Sequence, residues 1–291
     1  MTIGPVRLRL AIELDYEVTQ PGCDFIFHIH AARTERQQVL DESLTVSQDV
    51  ATRVETDPVT QNRRLRLVAG PGPLRVAYAA TVDLVHFVAD PWTIDETPVA
   101  QIPAAVLKYI YPSRYCESDR LLRLAMREFG SVPRGYGRVQ GIRDWVLQRT
   151  VFTPNTSNSN TSAIDTLIET VGVCRDFAHL MIALCRAANV PARFTTGIDY
   201  GADPALGPTD FHAYVEAYLG GRWYIFDPSG TAVPMGFVRF GTGRDAADVA
   251  FATIFGTVMG SAPRIRIEGV PGADGVLRLP FHCPQALSTD A

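Results

Sequence analysis

Cysteine is scarce in this chain, and its spacing does not fit a disulfide framework or a zinc site. The sequence of 291 residues contains five cysteines, an odd number, and they are widely separated. No pair is spaced as Cys-x-x-Cys, so neither a zinc ribbon nor a set of structural disulfides is predicted. Free thiols in a reducing compartment are the simplest interpretation, and we therefore expect a cytoplasmic location.

Long hydrophobic runs and an excess of basic charge are also missing. The longest stretch with few charges, around residues 246–263, is interrupted by Asp248, glycines and Pro263, so no membrane-spanning segment is predicted. The formal net charge is −4 with a pI near 5.9, which gives no reason to expect nucleic acid or an anionic membrane as a partner. The N-terminal run "VRLRLAIELDYEV" alternates apolar and polar residues, which is typical of a strand and not of a signal peptide.

The first third of the chain has the pattern of a β-sheet domain. Runs such as "RLRLAIEL" and "RRLRLV" alternate with a period of two, and the turn sequences "QPGCD" and "AGPGP" interrupt the pattern. A proline-rich linker follows near residue 100, and helical patterns begin after it. The sequence therefore predicts an α+β protein of two domains, with a β-sandwich-like domain over residues 1–100 and a second domain over residues 101–291.

One cysteine lies where a helix is expected to begin. In "GVCRDFAHLMIALCRAANVPARF", apolar residues follow Val173 at helical spacing, and the helix is expected to end at Asn189, before Pro191. Cys174 then lies in the first turn, where unpaired N–H groups and the helix dipole favour a thiolate. The alternative is a small buried apolar side chain, the commonest fate of a free cysteine.

A reactive thiol needs a base, and two histidines compete for that role. His179 lies five residues after Cys174, which turns it about 140° around the helix and away from the thiol. It is three residues after Asp176, so we interpret Asp176 and His179 as a supporting pair on the helix and not as the base. His212 is the stronger candidate.

His212 begins the first strand of a predicted hairpin. In "FHAYVEAYLGGRWYIFDPSG" the turn is Gly220-Gly221, so paired residue numbers sum to 441 and Leu219 faces Arg222. Asp227 then lies on the same face as His212, one pair away diagonally, where it can accept the Nδ1–H of the imidazole. The rival carboxylate, Glu216, is four residues from His212 and roughly 13 Å away along the strand.

These residues carry a resemblance to a known family. The two quoted segments resemble the transglutaminase-like superfamily, in the bacterial branch that has a β-rich N-terminal domain. The resemblance implies a papain-like fold for the second domain, with Cys174 as nucleophile, His212 as base and Asp227 as the carboxylate that orients it. Papain-like enzymes often use a glutamine before the cysteine to bind the oxyanion. Residues 166–173 contain none, so the backbone N–H of Cys174 is one expected donor and the second is unassigned.

The function implied is thiol-dependent acyl transfer from a peptide or amide through an acyl-enzyme, as in a cysteine peptidase or amidase. Hydrolysis is favoured because it needs no site for a second substrate. The alternatives are transfer of the acyl group to an amine, as in a transglutaminase proper, and a non-catalytic binding or scaffold protein on the same fold. We expect a peptide or protein substrate and no cofactor.

Two other motifs are set aside. Gly241, Gly243 and Ala246 fit G-x-G-x-x-A, but no further βα units follow, so an ordinary strand-to-helix turn is predicted in place of a dinucleotide site. His28 and His30 would share a strand face, but two imidazoles without a third ligand do not predict a metal site.

Overall fold

The structure is a computed structural model, and it describes residues 4–201, 205 and 209–290. In chain order the strands are β1 (Val6–Val18), β2 (Cys23–Phe27), β3 (Gln37–Val46), β4 (Thr52–Thr56), β5 (Arg63–Ala69), β6 (Gly72–Leu84), β7 (Phe87–Ala89), β8 (Val151–Phe152), β9 (Val171–Gly172), β10 (Ala192–Asp199), β11 (His212–Leu219), β12 (Arg222–Phe226), β13 (Phe237–Gly243), β14 (Ala252–Phe255), β15 (Val258–Gly260), β16 (Arg264–Gly269) and β17 (Ala286–Ser288). The helices are α1 (Ala104–Leu107), α2 (Leu122–Phe129), α3 (Tyr136–Arg149), α4 (Ala163–Glu169), α5 (Cys174–Ala187) and α6 (Ala246–Val249).

The N-terminal part is a β-sandwich, as predicted. One sheet has the order β15-β1-β6-β3 with β16 also pairing β1, and the other has the order β14-β2-β5-β4. Alternate residues of β1 such as Leu8, Leu10 and Ile12 point into a core that also contains Phe25 and Phe27 from the facing sheet. The period-two pattern therefore buries one face of each sheet against the other.

The sandwich is completed by strands from the far end of the chain. Strands β14, β15 and β16 come from residues 252–269, and they pair antiparallel with β2 and β1. The predicted division into residues 1–100 and 101–291 is therefore incomplete, because this later segment contributes strands to both sandwich sheets. Strand β17 likewise pairs with β7.

The second part is built on one antiparallel sheet of order β12-β11-β10-β13, called the core sheet below. Helix α5 lies against β10 and β11, and α2, α3 and α4 surround it. All eleven residues of α5 from Phe177 to Ala187 are buried, so the helix is enclosed on nearly every side. It ends at Ala187, two residues before the predicted end, and Asn189 takes a positive φ of 62°.

The β11–β12 hairpin has the predicted register. The strand pairs run from Leu219 with Arg222 to Val215 with Phe226, so the residue numbers of every pair sum to 441. Gly220 and Gly221 form the turn with φ values of 53° and 87°, a conformation that glycine adopts without strain. One face of the hairpin, which includes Ala213, Val215 and Phe226, packs in the same apolar cluster as α5.

The opposite face of the hairpin is buried as well. Every residue of β11 is buried, including His212 and Glu216. Ile198, Val238 and Phe240 of the core sheet belong to the apolar cluster of the sandwich. The core sheet therefore packs against α5 on one face and against the sandwich core on the other. The polar residues of β11 consequently need hydrogen-bond or ionic partners in the interior.

Candidate active site

Cys174 is the first residue of α5 and is partly exposed. Asp176 holds this end of the helix, because its Oδ2 accepts a 2.9 Å hydrogen bond from the N–H of Val173. A Cβ on Gly172 would lie 2.8 Å from the Cβ of Asp176, so only glycine permits this close packing. The local sequence Gly-Val-Cys therefore presents the thiol at a fixed helix N-terminus.

His212 is the first residue of β11, pairs with Gly197 of β10, and is 7% exposed. Its ring stacks on Phe237 of β13, with 5.2 Å between ring centroids. Sγ of Cys174 lies 3.9 Å from the carbonyl oxygen of Phe211, the residue before His212, and the thiol helps to raise the pKa of the imidazole. The thiol and the imidazole are thus brought together from two elements that are far apart in the chain.

Asp227 follows β12 directly and is 6% exposed. Its Oδ1 accepts hydrogen bonds from the N–H (3.0 Å) and hydroxyl (2.6 Å) of Ser229, and its Oδ2 accepts one from the N–H of Ala232 at 3.1 Å. The same Oδ1 lies 3.5 Å from Nε2 of His212. The turn after β12 therefore fixes the carboxylate beside the imidazole, at a distance typical of a charge contact and longer than an ordinary hydrogen bond.

The nitrogen that faces Asp227 differs from the predicted one. Asp227 was expected to accept the Nδ1–H, but the structure places Nε2 against it. The diagonal offset in the hairpin gives the proximity of the two residues, whereas the side-chain torsions of His212 decide which nitrogen points where. Nδ1 is then the nitrogen available to Cys174.

The charges of these groups support one another. Burial lowers the pKa of His212, but Asp227 and Cys174 outweigh it and hold that pKa well above its usual value. Burial raises the pKa of Asp227, but His212, Ser229 and the N–H of Ala232 more than offset this, and the pKa lies below its usual range. This electrostatic environment therefore favours an imidazolium between the Asp227 carboxylate and Sγ of Cys174.

A second carboxylate at the imidazole was missed from the sequence. Asp199, the last residue of β10, is 3% exposed, and its Oδ1 lies 3.7 Å from Nδ1 of His212. The sequence places it only in the segment "GIDYGADP", where it had no required role. Its proximity depends on the pairing of β10 with β11, which the local pattern does not reveal.

Glu216 has other partners, which agrees with its exclusion from the site. Its carboxylate forms ion pairs with Arg193 and Arg239, and Asp290 near the end of the chain binds both of these arginines. Tyr214 packs nearby against Phe237, with 4.2 Å between ring centroids. Glu216 thus belongs to a buried ionic network and not to the imidazole.

Asp176 and His179 do not form the predicted pair. Asp176 binds Ser157 and the N–H of Val173, whereas Nε2 of His179 accepts a hydrogen bond from the N–H of Ala246 at 3.2 Å. His179 is fully buried and stacks on Tyr115, and burial lowers its pKa well below the usual value. The two residues share a helix, but each supports a different neighbouring segment.

The two histidines of the N-terminal domain and the glycine-rich motif are held by contacts within the fold. His28 and His30 lie just after β2 and not within it; Nδ1 of His28 contacts the carbonyl oxygen of Ala250, and His30 stacks on Tyr78. Among the described residues, no group of three or more His, Cys, Asp or Glu side chains is placed to hold a metal ion. The glycine-rich motif is the predicted turn from β13 to α6.

No helix in residues 4–201, 205 and 209–290 is long and apolar enough to cross a membrane.

Comparison with known proteins agrees with this architecture. Residues 6–105 match the bacterial transglutaminase N-terminal domain, and residues 124–228 match the transglutaminase-like superfamily core. The second match contains Cys174, His212 and Asp227.

A solved structure resembles nearly the whole chain. It is the crystal structure of a "putative cysteine protease" from Cytophaga hutchinsonii, with 37% identity, a TM-score of 0.91 and 99% coverage of both chains.

Curated relatives match a smaller part. An uncharacterised protein of Mycobacterium leprae is 32% identical over 111 residues, 36% of this chain and 39% of that protein. One from Mycobacterium tuberculosis is 32% identical over 127 residues, 38% of this chain and 40% of that protein. The chain thus spans about two fifths of the length of these curated relatives. Because two domain models match in order and a solved relative matches end to end, the chain belongs to the transglutaminase-like superfamily.

Proposed function

We propose that the protein is a cysteine peptidase or amidase in which Cys174 is the nucleophile, His212 the base and Asp227 the carboxylate that orients it. The observation that carries the proposal is the buried imidazole of His212, which lies 3.5 Å from Asp227 and follows Phe211, whose carbonyl oxygen is 3.9 Å from Sγ of Cys174. The other cysteines have different surroundings: burial raises the pKa of Cys116 and of Cys185 to about 12. Those two thiols therefore remain protonated and inert.

Transfer of the Sγ proton of Cys174 to Nδ1 of a neutral His212 forms the thiolate–imidazolium pair from which the reaction starts. The thiolate attacks the amide carbonyl carbon, and the backbone N–H of Cys174 at the start of α5 helps to hold the oxyanion. Nδ1 then returns its proton to the amide nitrogen as the C–N bond breaks, so an amine leaves and a thioester remains.

Water completes the cycle. His212 takes a proton from the water while the oxygen attacks the thioester carbon, and the C–S bond breaks to release a carboxylic acid. The sulfur recovers its proton from the imidazolium. Asp227 stays ionised throughout and stabilises the positive charge on the ring.

Hydrolysis is favoured over amine transfer because it needs one substrate besides water. The Cytophaga hutchinsonii structure, which matches 99% of this chain, carries the name of a cysteine protease, and this supports hydrolysis. All five cysteines are free in the structure, and the reducing cytoplasm proposed as the location would keep them so.

One experiment separates the candidate functions. Casein is incubated with the protein and dansylcadaverine, with the Cys174→Ala variant as control, and mass spectrometry follows peptide termini and incorporated amine. Hydrolysis predicts new termini that depend on Cys174, whereas dominant amine incorporation would replace hydrolysis with transfer. If neither appears and Cys174 also resists iodoacetamide, the non-catalytic alternative is correct.

A further inference from the structure

Asp199 is a buried carboxylate that the proposed mechanism does not use. Its Oδ1 lies 3.7 Å from Nδ1 of His212, and its buried Oδ2 has no hydrogen-bond partner within the described residues. Buried polar atoms are almost always satisfied, so an unpartnered carboxylate oxygen beside an imidazole calls for an explanation. Its position at the end of β10 is rigid, because Asp199 still pairs with Phe237 of β13.

Within the part of the chain that the structure describes, four side chains contact or lie beside the imidazole of His212. Cys174 comes from the start of α5, Asp227 from the turn after β12 and Asp199 from the end of β10. Phe237 of β13 supplies an apolar face. Nε2 faces Asp227 and Asp199 lies beside Nδ1, the nitrogen that exchanges protons with the thiol in the proposed mechanism.

We propose that Asp199 is a positioning residue that stabilises the His212 imidazolium during deacylation, when the thiolate no longer does so. The inference rests on the proposed function of Cys174 and His212, and it assigns Asp199 to one half of the reaction. Asp199 touches neither substrate nor the reacting sulfur in this account. It acts through the imidazole.

The two half-reactions differ in the charge next to Nδ1. In the free enzyme a carboxylate at Asp199 attracts the imidazolium and repels the thiolate, and these opposite effects leave the ion pair little changed. In the acyl-enzyme the sulfur is a neutral thioester. When Nδ1 then takes a proton from the attacking water, Asp199 is the anion beside it, so its charge favours deacylation selectively.

The test uses p-nitrophenyl acetate, an activated ester that acylates a reactive thiolate. The p-nitrophenol burst reports acylation of Cys174, and the steady-state rate that follows reports deacylation. For Asp199→Asn at pH 7.5 we expect the rate constant of the burst to stay within about twofold of the wild-type value. The steady-state rate should be about tenfold lower than in the wild type. This corresponds to a shift of about one pKa unit in His212, the lower end of the effect of an opposite charge at this distance.

Asp210→Asn is the matched control. Asp210 lies two residues before His212 and accepts a 2.7 Å hydrogen bond from the N–H of Phe211, so its variant removes a nearby charge without altering the contact at Nδ1. It should leave both phases unchanged. Asp199→Ser is measured as a second variant, because it removes the carboxylate with a smaller side chain should the asparagine fail to fold.

Two outcomes would overturn the role of Asp199. If burst and steady state fell together, the residue would only support the fold, and if neither changed, it would have no role in the reaction. Failure of the proposed function looks different, since wild-type protein would then show no burst or would keep it in Cys174→Ala.

Discussion

Replacing Asp227 with asparagine removes a negative charge while keeping nearly the same shape. At 3.5 Å from Nε2, the carboxylate attracts the imidazolium by about 5 kcal/mol at an effective dielectric constant of about 20, and by about 1 kcal/mol in water. His212 is 7% exposed, so we expect a loss between these limits, about 2 to 3 kcal/mol. That is roughly two pKa units for His212, or a 30- to 150-fold loss of the thiolate–imidazolium pair.

The assay is the rate of iodoacetamide alkylation at Cys174 as a function of pH. In Asp227→Asn the rate near neutral pH should fall by that factor, and the profile should move upward towards that of an unassisted cysteine. The variant also loses one acceptor in the turn, where the carboxylate binds Ser229 and the N–H of Ala232, so stability should fall by about 1 to 3 kcal/mol. Urea unfolding measures that part separately.

Ser229→Ala is the control for the turn. It removes the 2.6 Å hydrogen bond from the hydroxyl to Asp227 but leaves the charge in place, so the alkylation profile should move little. An unchanged profile in Asp227→Asn, or an equal shift in Ser229→Ala, would show that the carboxylate charge does not stabilise the imidazolium.

Three further predictions concern the surroundings of the site. His212→Ala should abolish the enhanced alkylation of Cys174. His179→Ala should change the alkylation rate little but lower the free energy of unfolding in urea by about 3 kcal/mol, because it removes a buried ring and the partner of the Ala246 N–H. If the two variants exchanged these effects, His179 would be the base. Glu216→Gln should lower stability by about 3 to 5 kcal/mol, because it leaves two buried arginines short of charge, and a shifted alkylation profile in this variant would contradict its exclusion from the site. Burial lowers the pKa of His30 from 6.5 to about 4, so its contribution to stability is complete above pH 6.5 and is lost as the pH falls towards 4, by about 3 kcal/mol. His30→Phe should show a smaller loss between pH 7 and pH 4 in urea unfolding, and an identical loss would mean that His30 is not responsible.

The features that could be predicted from the sequence are those with local causes. Gly220-Gly221 admits one tight turn, and the alternation on either side then fixes which residues face one another, so the register and the closeness of Asp227 to His212 followed from a short segment. Cys174 at a helix start followed likewise from apolar spacing.

The features that escaped prediction depend on contacts between distant segments. Asp199 reaches His212 only because β10 pairs with β11. The alternation of apolar and polar residues within each strand does not predict that these two strands pair. The strands of residues 252–269 pair with β1 and β2, which are far away in the sequence, and their local pattern does not predict these partners either. Glu216 is buried because arginines from β10 and β13 and an aspartate near the end of the chain converge on it. Alternation within one strand carries no information about such partners.

Competition between Cys174 and Cys283 for a limiting alkylating reagent shows whether Cys174 is the activated thiol. Both are partly exposed, whereas Cys23, Cys116 and Cys185 are buried, so access alone does not favour Cys174 over Cys283. Limited alkylation with iodoacetamide near neutral pH, followed by mass spectrometry of the peptides, should modify Cys174 first in the wild-type protein and remove that preference in His212→Ala. Equal or faster labelling of Cys283 in the wild type would show that Cys174 is not activated, and a preference for Cys174 that survives His212→Ala would show that His212 is not its base.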